Sequence, residues 1–424
     1  MKTAGGSKKR RAREQQGCGT QTAFRKEESR FKYSAGTASL TEAELLGLSS
    51  SSSFSADGAF PLRLTDPFFS SELSSLPPPE GILPPTEWKA FGFREHDGFV
   101  LIRGAFDGLC SQLRLAQYCL TDCLDAPDHP TNLTPFFGHI PDLFQRASRC
   151  QDSADKGTND CASRSQDPTQ EQQKMKSAGK TDLPRDGGHA DLSAEEALAR
   201  EALSKLRWVT LGYHYNWTTR RYEDGLRSPF PQSVGAMADY LVTVAAWMQP
   251  PTSGLERSGD HCGESAAECL RRGHFKAEAA IVNFYAARSA IHGHIDDSER
   301  NMAAPIVSVS LGCSAVFLLG GADKEQRPSA ILLRSGDVAL MGGFSRRCLH
   351  GVPRVLAGTF PPPEERSSDH LQHAQVLAYL ASNRININIR QVFRCGESAE
   401  GVSLMSEDSS TSAFATSTST MCSD

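Results

Sequence analysis

The most regular pattern in the chain is a series of short apolar runs between about residues 279 and 392. Runs of roughly four to eight residues, rich in β-branched and aromatic side chains and separated by glycine pairs, are typical of antiparallel strands. The predicted strands are Ala280–Tyr285, Ile306–Leu311, Ala315–Leu319, Ala330–Leu333, Val338–Met341 and Ile385–Val392. Many short strands of this kind predict a sandwich or a jelly roll.

Helical patterns precede this β region. A strand at Gly98–Ile102 is followed by three amphipathic stretches whose apolar residues recur at helical spacing. The predicted helices are Leu109–Leu120, Ala197–Leu206 and Val234–Met248. Ser193 and Glu196 have the spacing of a capping box before the second helix. We therefore predict an α+β fold, mainly β, in which N-terminal helices support one sheet.

Segments poor in large apolar residues surround and interrupt this domain. They are a Ser-, Gly- and Pro-rich leader (1–85), a polar insertion (about 150–192), two loops (251–273 and 357–374) and an acidic tail rich in Ser and Thr (396–424). Such sequences bury too little apolar surface to offset the entropy of ordering them. We expect disordered appendages around a single domain at 86–395.

The charge of the chain is unevenly distributed. Its 424 residues carry a formal net charge of −5, but residues 1–34 alone hold ten Lys or Arg and three acids, a local net of +7. Polyanions bind to local basic surfaces, so the acidic total does not exclude a nucleic-acid partner. The cluster Lys8–Arg13 has three interpretations: a nuclear-import signal, a phosphate-binding arm or a solvated tail without a function.

Cysteine usage and hydropathy favour an intracellular protein. The 12 Cys are scattered and form no CxxC pair, which is typical of reduced thiols. The longest apolar stretch, Tyr240–Met248, is too short to span a bilayer, so no membrane partner is expected. We expect a location in the nucleus or cytoplasm, or in a mitochondrion if the basic leader is an atypical presequence.

Three residues of the β region could hold a metal ion. His294 and Asp296 are two positions apart, so on a strand both side chains face the same way, and His350 could join them from a neighbouring strand. Two imidazoles and one carboxylate leave three positions of the ion open, as in non-haem Fe(II) oxygenases. The HxD spacing alone is a weak signal, because such a histidine is more often simply hydrogen-bonded at a strand end.

Near the end of the β region, four polar residues alternate with isoleucine: Arg384, Asn386, Asn388 and Arg390. On a strand they share one face. Such a row is commonly a solvated outer face. If it faces inward, its two guanidinium groups suit a dicarboxylate, since each can grip a carboxylate with two parallel hydrogen bonds.

Five motifs occur in order along the domain: Asn283-Phe-Tyr285, His294-x-Asp296, Ser335 to Arg346, His350-x-Val-Pro-Arg354 and Arg384-x-Asn386-x-Asn388-x-Arg390. In order and spacing they resemble the AlkB family of Fe(II)/2-oxoglutarate dioxygenases, whose fold is a double-stranded β-helix, or jelly roll. The segments Leu206–Trp217 and Gly98–Arg103 resemble the AlkB homologue 1 branch in particular. The resemblance covers roughly residues 88–395, and five ordered motifs are far more specific than one.

The resemblance implies a role for each matched residue. His294, Asp296 and His350 would be the iron ligands. The cosubstrate 2-oxoglutarate would be held by Asn283, Tyr285, Arg384, Asn386, Asn388 and Arg390. Arg384 would pair with its distal carboxylate. Asn388 is a departure, because the family usually has Thr there, but Asn still offers a donor and an acceptor.

The implied reaction is oxidative demethylation of N-methylated nucleic acid with Fe(II), 2-oxoglutarate and O2, releasing formaldehyde, succinate and CO2. Relatives in that branch favour 1-methyladenosine in transfer RNA or N6-methyladenine in DNA as the substrate. A protein (histone) demethylase or hydroxylase would share every iron and cosubstrate residue. A non-catalytic nucleic-acid-binding module would be expected to lack a ligand.

Tyr213, His214 and Tyr215 are the expected substrate contacts, because aromatic rings near Arg220 and Arg221 can stack a base and hold its phosphates. The alternative is that the two tyrosines are half-buried in a strand that packs on the sheet. 

Three further histidines compete for the metal. His292 lacks an Asp two residues later, so we expect it outside the ligand set. His370 and His373 lie in a polar loop, and His350 is preferred over both.

Overall fold

The computed structural model describes residues 21–33, 59–62, 76–149, 194–248, 270, 273–287, 289–360 and 373–394. Its strands are β1 Ala59–Leu62, β2 Lys89–Phe93, β3 Phe99–Arg103, β4 Trp208–Asn216, β5 Arg221–Arg227, β6 Ala279–Ala286, β7 Ile291–His294, β8 Ile306–Gly312, β9 Ala315–Leu319, β10 Ser329–Leu333, β11 Val338–Met341, β12 His350–Val355 and β13 Asn383–Arg390. Its helices are α1 Ala23–Tyr33, α2 Gly108–Leu120, α3 Asp122–Asp125, α4 Thr134–Phe137, α5 Leu143–Ser148, α6 Ala194–Lys205, α7 Gln232–Met248 and α8 Ala374–Leu380.

Two antiparallel sheets form the framework of the described residues. The major sheet has the strand order β1-β2-β3-β11-β8-β13-β6-β4-β5, and the minor sheet has the order β10-β9-β12-β7. Many neighbouring strands are distant in sequence, and the two sheets enclose a shared apolar core. The predicted α+β, mainly β fold of the double-stranded β-helix type is therefore confirmed.

Each face of the major sheet packs against a different layer. Val100 and Ile102 of β3 point towards helices α2 and α7, in a large apolar core. Phe99 and Leu101 of the same strand point the other way, towards Phe317 of the minor sheet. This division follows from the two-residue period of a strand. The predicted support of one sheet by helices is confirmed.

The same alternation decides where the polar row of β13 lies. The isoleucines of this strand belong to the core on the helix side: Ile385, Ile387 and Ile389. The alternate side chains must then face the minor sheet. Arg384 and Asn386 are buried there, in register with Tyr285 and Asn283 of β6. The row is an inner face of the sandwich, which the sequence left open.

Most predicted elements lie where the sequence pattern placed them. The strands Ala315–Leu319 and Val338–Met341 agree to the residue. The last strand begins and ends two residues earlier than predicted, because its pairing with β6 runs from Asn383 to Arg390. The apolar residue Val392 follows Arg390 in the sequence, and the pattern therefore predicts a strand that extends past its observed end.

The expectation that residues 1–85 are disordered is wrong at three segments: 21–33, 59–62 and 76–85, where Ile82 is buried in the core on the helix side. Helix α1 packs on the minor sheet, where Phe24 and Phe31 are buried against Val316 and Leu318 of β9. Strand β1 pairs with β2 at the edge of the major sheet. The two phenylalanines are seven positions apart, so both lie on one face of a helix. The polar residues between them conceal this signal.

Several expectations fall on residues outside the described ranges. They concern the basic cluster Lys8–Arg13, Ser193 of the capping box, His370, the insertion 150–192 and the tail 396–424. The domain limits at 86 and 395 stay predictions. No helix in the described ranges is long and apolar enough to cross a membrane.

Candidate metal centre

His294 and His350 lie side by side on neighbouring strands of the minor sheet. Strand β7 ends at His294 and strand β12 begins at His350, and the two residues are direct partners in the antiparallel register. The centroids of their rings are 4.4 Å apart. Backbone pairing thus fixes the relative position of two imidazoles that are distant in sequence.

Asp296 completes the group two residues after the end of β7. His294 Nε2 lies 3.6 Å from Asp296 Oδ1, and His350 Nε2 lies 3.8 Å from Asp296 Oδ2. One ligand atom from each of the three side chains lies within 4.8 Å of the other two. Among the described residues, this is the one group of three or more such side chains that could hold a metal ion.

Both imidazoles have the orientation that a metal ligand needs. Nδ1 of His294 lies 2.9 Å from the carbonyl oxygen of His292, and Nδ1 of His350 lies 3.2 Å from that of Cys348. An Nδ1–H that donates to a carbonyl leaves the lone pair of Nε2 for the metal. Burial lowers the pKa of His350 to about 4, so this ring is neutral at pH 7.

The neighbours of Asp296 keep it ionised. Burial alone would raise the pKa of its carboxyl group, but Arg390 and the two histidines hold that pKa well below its usual range. Nη2 of Arg390 donates a hydrogen bond to Oδ2 of Asp296 at 2.7 Å. One carboxylate and two imidazoles on one side of an ion fit Fe(II), with positions left for further ligands.

Arg384 is buried on β13, and its guanidinium lies 5.3 Å from the ring centre of Tyr285. Its Nη2 donates to Ser310 Oγ at 2.9 Å, while Nε and Nη1 have no hydrogen-bond partner among the described residues. Unpaired buried donors are costly, and a carboxylate at the open edge of the guanidinium would accept charge-assisted hydrogen bonds from it. Tyr285 lies beside Arg384, and burial raises its pKa to about 12. The arrangement fits a carboxylate of 2-oxoglutarate.

The other predicted cosubstrate residues lie on the same inner face of β6 and β13. Nδ2 of Asn386 donates to Ser308 Oγ at 2.8 Å and to the carbonyl oxygen of Val309 at 3.0 Å. Asn283 pairs with Asn386 in the register of the two strands. Asn388, where the family usually has Thr, is half-buried on this face. The structure thus brings the predicted set together on two strands of the major sheet, one of which reaches the triad through the contact of Arg390 with Asp296.

Two of the predicted substrate residues lie on the hairpin formed by β4 and β5, and one of them, Tyr215, lies near the metal group. The hydroxyl oxygen of Tyr215 is 3.4 Å from Oγ of Ser298, two residues beyond Asp296. The hydroxyl oxygen of Tyr213 accepts a hydrogen bond from Nη1 of Arg227 at 3.2 Å. Both tyrosines are half-buried, so each presents part of its ring to solvent.

The structure separates His214 from these two tyrosines. His214 is buried, and its Nδ1 lies 3.0 Å from Oγ1 of Thr210. Neighbouring residues on a strand point to opposite faces, which turns His214 towards the loop around Pro130. Its prediction as a substrate contact is wrong, because the sequence cluster ignored this alternation.

His292 lies outside the metal group, as expected. Its side chain is exposed, and its Nδ1 lies 2.6 Å from Oε1 of Glu28, a buried residue of α1. His373, directly before α8, does not belong to the metal group either. The preference for His350 is therefore supported by geometry.

Two buried residues beside Asp296 were missed by the sequence analysis. Glu299 lies between the guanidinium groups of Arg346 and Arg390. Arg346 stands inside one of the five motifs, which is the one signal that the sequence offers. A single acidic residue in a loop gives no pattern that predicts its burial.

Comparison with known proteins matches one superfamily. The profile described as the 2OG-Fe(II) oxygenase superfamily matches residues 161–390. The DNA N(6)-methyladenine demethylase ALKBH1A of Arabidopsis thaliana is 39% identical over 204 residues, which are 47% of this chain and 53% of that protein. The nucleic acid dioxygenase ALKBH1 of Homo sapiens is 35% identical over 214 residues, 46% of this chain and 48% of that protein.

A third relative is matched over most of its length. The N6-methyladenosine RNA demethylase ALKBH of Cryphonectria parasitica is 30% identical over 220 residues, 49% of this chain and 83% of that protein. The chain spans about half the length of the first two relatives. 

Proposed function

The chain belongs to the 2OG-Fe(II) oxygenase superfamily and, within it, to the AlkB family, and on that premise we propose that it is a dioxygenase that demethylates N-methylated nucleic acid. The observation that carries the proposal is the placement of His294, Asp296 and His350 beside an inner polar row. That row includes Arg384, whose guanidinium has unpaired nitrogens. A metal site next to a dicarboxylate site is what this chemistry requires.

Different residues would bind the metal and the cosubstrate. His294, Asp296 and His350 would hold Fe(II), and Arg384 would pair with the distal carboxylate of 2-oxoglutarate. When bound, Fe(II) with 2-oxoglutarate and O2 supplies the oxidation of an N-methyl group, which leaves as formaldehyde while succinate and CO2 form. Arg390 keeps Asp296 oriented through the hydrogen bond to Oδ2.

Apolar side chains line the other side of the metal group. The ring of Phe317 lies 5.9 Å from that of His350, and Phe99 stacks on Phe317 at 6.1 Å. Both phenylalanines belong to the core between the sheets. This wall excludes water from one side of the site and strengthens the electrostatic contacts within it.

The hairpin of β4 and β5 supports a nucleic-acid substrate. Trp217 is 51% exposed and packs edge-on against Tyr215, with ring centroids 4.8 Å apart. Stacking of a base on an aromatic side chain stabilises binding by about 1–3 kcal/mol. The guanidinium of Arg227 lies 5.7 Å from the ring centre of Tyr213, which places positive charge next to these rings, where a phosphate would lie.

Methylated adenine is the base that we propose as the substrate. The names of two relatives specify N6-methyladenine in DNA and N6-methyladenosine in RNA, and 1-methyladenosine in transfer RNA has the same base and the same N-methyl chemistry. Because aromatic stacking is tolerant of sequence, the hairpin suits a flipped or single-stranded adenine of either polymer.

The test is turnover of defined substrates by the full chain. The full chain would be incubated with Fe(II), 2-oxoglutarate and ascorbate. Three substrates would be tested separately: RNA with 1-methyladenosine, DNA with N6-methyladenine and a methyl-lysine peptide. Mass spectrometry of nucleosides and peptide, with assays of formaldehyde and succinate, gives the result. We expect demethylation of at least one oligonucleotide with matching succinate. Turnover of the peptide alone would contradict the nucleic-acid substrate.

A further inference from the structure

Two arginines contact Asp296, one at its side-chain carboxylate and the other at its backbone carbonyl group. Nη2 of Arg390 donates to the side-chain Oδ2 at 2.7 Å, and Nη1 of Arg346 donates to the backbone carbonyl oxygen of Asp296. One contact orients the carboxylate, and the other holds the backbone from which it projects. The position of Asp296 therefore depends on where the two guanidinium groups lie.

Glu299 ties those two guanidinium groups together. Its Oε1 forms an ion pair with Arg390 Nε at 3.0 Å, and its Oε2 accepts a hydrogen bond from Arg346 Nη2 at 2.6 Å. The side chains of Glu299, Arg346 and Arg390 are 2%, 1% and 5% exposed. Water cannot replace either contact, so loss of the Glu299 charge leaves buried charge without compensation.

The charges of this cluster balance only when Glu299 is present. The two negative charges of Asp296 and Glu299 then balance the two positive charges of Arg346 and Arg390. Without the charge of Glu299, the cluster gains net positive charge next to the metal site, and both guanidinium groups compete for Asp296. A like charge near a cation site weakens cation binding.

Tyr222 connects Glu299 to the β4–β5 hairpin. Its hydroxyl donates to Oε1 of Glu299 at 3.1 Å, and burial raises the pKa of Tyr222, which keeps the hydroxyl a donor. Its ring packs against Tyr215 at 5.5 Å, and Tyr215 packs against the exposed Trp217 at 4.8 Å. Direct contacts thus run from the hairpin surface to the carboxylate that holds the arginines.

We propose that Glu299 is a positioning residue for Asp296, and that the Tyr222 hydroxyl couples this positioning to the β4–β5 hairpin. The inference rests on the proposed function, because it takes Asp296 as a metal ligand and the hairpin as a nucleic-acid contact. Coupling between two ligands is reciprocal. A nucleic acid that orders the hairpin then tightens metal binding, and the metal tightens nucleic-acid binding by the same factor.

The test measures binding of Mn²⁺ to the full chain with 2-oxoglutarate, from the electron paramagnetic resonance signal of free Mn²⁺. Mn²⁺ uses the same ligand types and needs no turnover. Glu299→Gln keeps the shape of the side chain and removes its charge. We expect the Kd for Mn²⁺ to rise about tenfold or more, the range typical for lost contacts to metal ligands.

Tyr222→Phe tests the coupling, because it removes one hydroxyl and keeps the ring. Each protein is titrated with Mn²⁺ in the presence and absence of single-stranded oligonucleotide. We expect the oligonucleotide to tighten Mn²⁺ binding in the unmodified chain and to have no effect in Tyr222→Phe. An equal effect of the oligonucleotide in both proteins, or none in the unmodified chain, would overturn the coupling. This variant keeps the coupling testable if Glu299→Gln does not fold.

Glu278→Gln is the matched control for a buried carboxylate. Oε2 of Glu278 accepts hydrogen bonds from the backbone N–H groups of Val392 and Phe393. We expect this variant to lower the Tm and to leave the Kd for Mn²⁺ unchanged. An equal rise of the Kd in Glu278→Gln and Glu299→Gln, or no rise in Glu299→Gln, would overturn the positioning role. If the unmodified chain bound no Mn²⁺, the proposed metal centre would fail together with this inference.

Discussion

His292 Nδ1 lies 2.6 Å from Oε1 of Glu28, although 264 positions separate the two residues in the chain. Glu28 belongs to α1 and is buried, whereas His292 belongs to β7 and directly precedes the Gly293–His294 pair. This contact and the buried ring of Phe24 fasten α1 to the strand that carries one member of the metal group. The stability of α1 and that of the metal strand are therefore linked.

Gly293→Ala tests this link. A Cβ atom at Gly293 would lie 2.3 Å from Cε1 of Phe24, whose ring is buried between α1 and the minor sheet. The ring must move, and such overpacking typically costs about 1–3 kcal/mol. We expect the free energy of unfolding to fall by that amount, as measured by urea unfolding.

Two matched variants control for this effect. One is the double variant Phe24→Ala with Gly293→Ala, and the other is Gly225→Ala. Removal of the Phe24 ring creates the space that Gly293→Ala needs, so the cost of the glycine substitution should nearly vanish in that background. At Gly225, on β5, a Cβ atom would meet nothing within 4 Å, and no comparable loss is expected. Equal costs of Gly293→Ala in both backgrounds would show that Phe24 is not responsible.

Arg384→Lys should weaken the binding of 2-oxoglutarate. Lys lacks the planar set of donors of the guanidinium group, two of whose nitrogens are unpaired in Arg384. Loss of a hydrogen bond to a charged group predicts a rise of KM for 2-oxoglutarate of about 10- to 100-fold. Initial rates at varied 2-oxoglutarate check it.

Arg103→Lys is the control for loss of a largely buried arginine. Nη2 of Arg103, on β3, donates to the carbonyl oxygen of Leu332 at 3.0 Å. We expect a lower Tm and an unchanged KM for 2-oxoglutarate. A KM that rises equally in Arg103→Lys and Arg384→Lys would contradict the assignment of Arg384 to the cosubstrate.

Trp217→Ala should weaken nucleic-acid binding and leave 2-oxoglutarate binding intact. Loss of one stacking ring predicts a rise in the Kd for a methylated oligonucleotide of about tenfold. Fluorescence anisotropy of a labelled oligonucleotide measures it. Phe136, on α4, is 83% exposed, and Phe136→Ala is the control for removal of an exposed ring. Similar losses in both variants would argue against a specific role for the hairpin.

Asp239→Asn should change how stability depends on pH. Burial raises the pKa of Asp239, on α7, to about 6, although His274 lowers it, and Oδ1 has no hydrogen-bond partner among the described residues. A pKa above the unfolded value of about 3.9 means that the folded state binds the proton more tightly. The contribution of Asp239 to the free energy of unfolding is therefore lost as pH rises from about 4 through 6.

Thermal unfolding at pH 5 and at pH 7.5 checks this expectation. The Tm of Asp239→Asn minus the Tm of the unmodified chain should be larger at pH 7.5 than at pH 5. A constant difference between the two proteins would show that Asp239 does not titrate in this range.

The sequence predicted the features that depend on local repetition. Val338–Met341 was recognised from a continuous apolar run bounded by glycine, and Arg384 with Asn386 from their alternation with isoleucine. His294 and Asp296 follow from the same two-residue period. His350 is predicted only as a possible partner from a neighbouring strand, and its assignment as a ligand comes from the family resemblance, because no local rule gives the register of β12 on β7.

The features that the sequence missed depend on distant contacts. Glu299 is isolated in its loop, and its role comes from two arginines that lie 47 and 91 positions away. His214 is grouped with Tyr213 and Tyr215 as an expected substrate contact, although strand alternation separates it from both. Helix α1 was treated as part of a polar leader, because the surface that buries Phe24 and Phe31 comes from strands more than 260 residues later.

The central claim is that His294, Asp296 and His350 hold the Fe(II) that acts with 2-oxoglutarate. Anaerobic titration of Fe(II) into the full chain with 2-oxoglutarate tests it most directly, through the visible charge-transfer absorbance of the complex. We expect this absorbance to saturate at a single Fe(II) per chain and to be absent in Asp296→Ala, while circular dichroism shows that the variant remains folded. The same saturating absorbance in folded Asp296→Ala, or none in the unmodified chain, would contradict the claim.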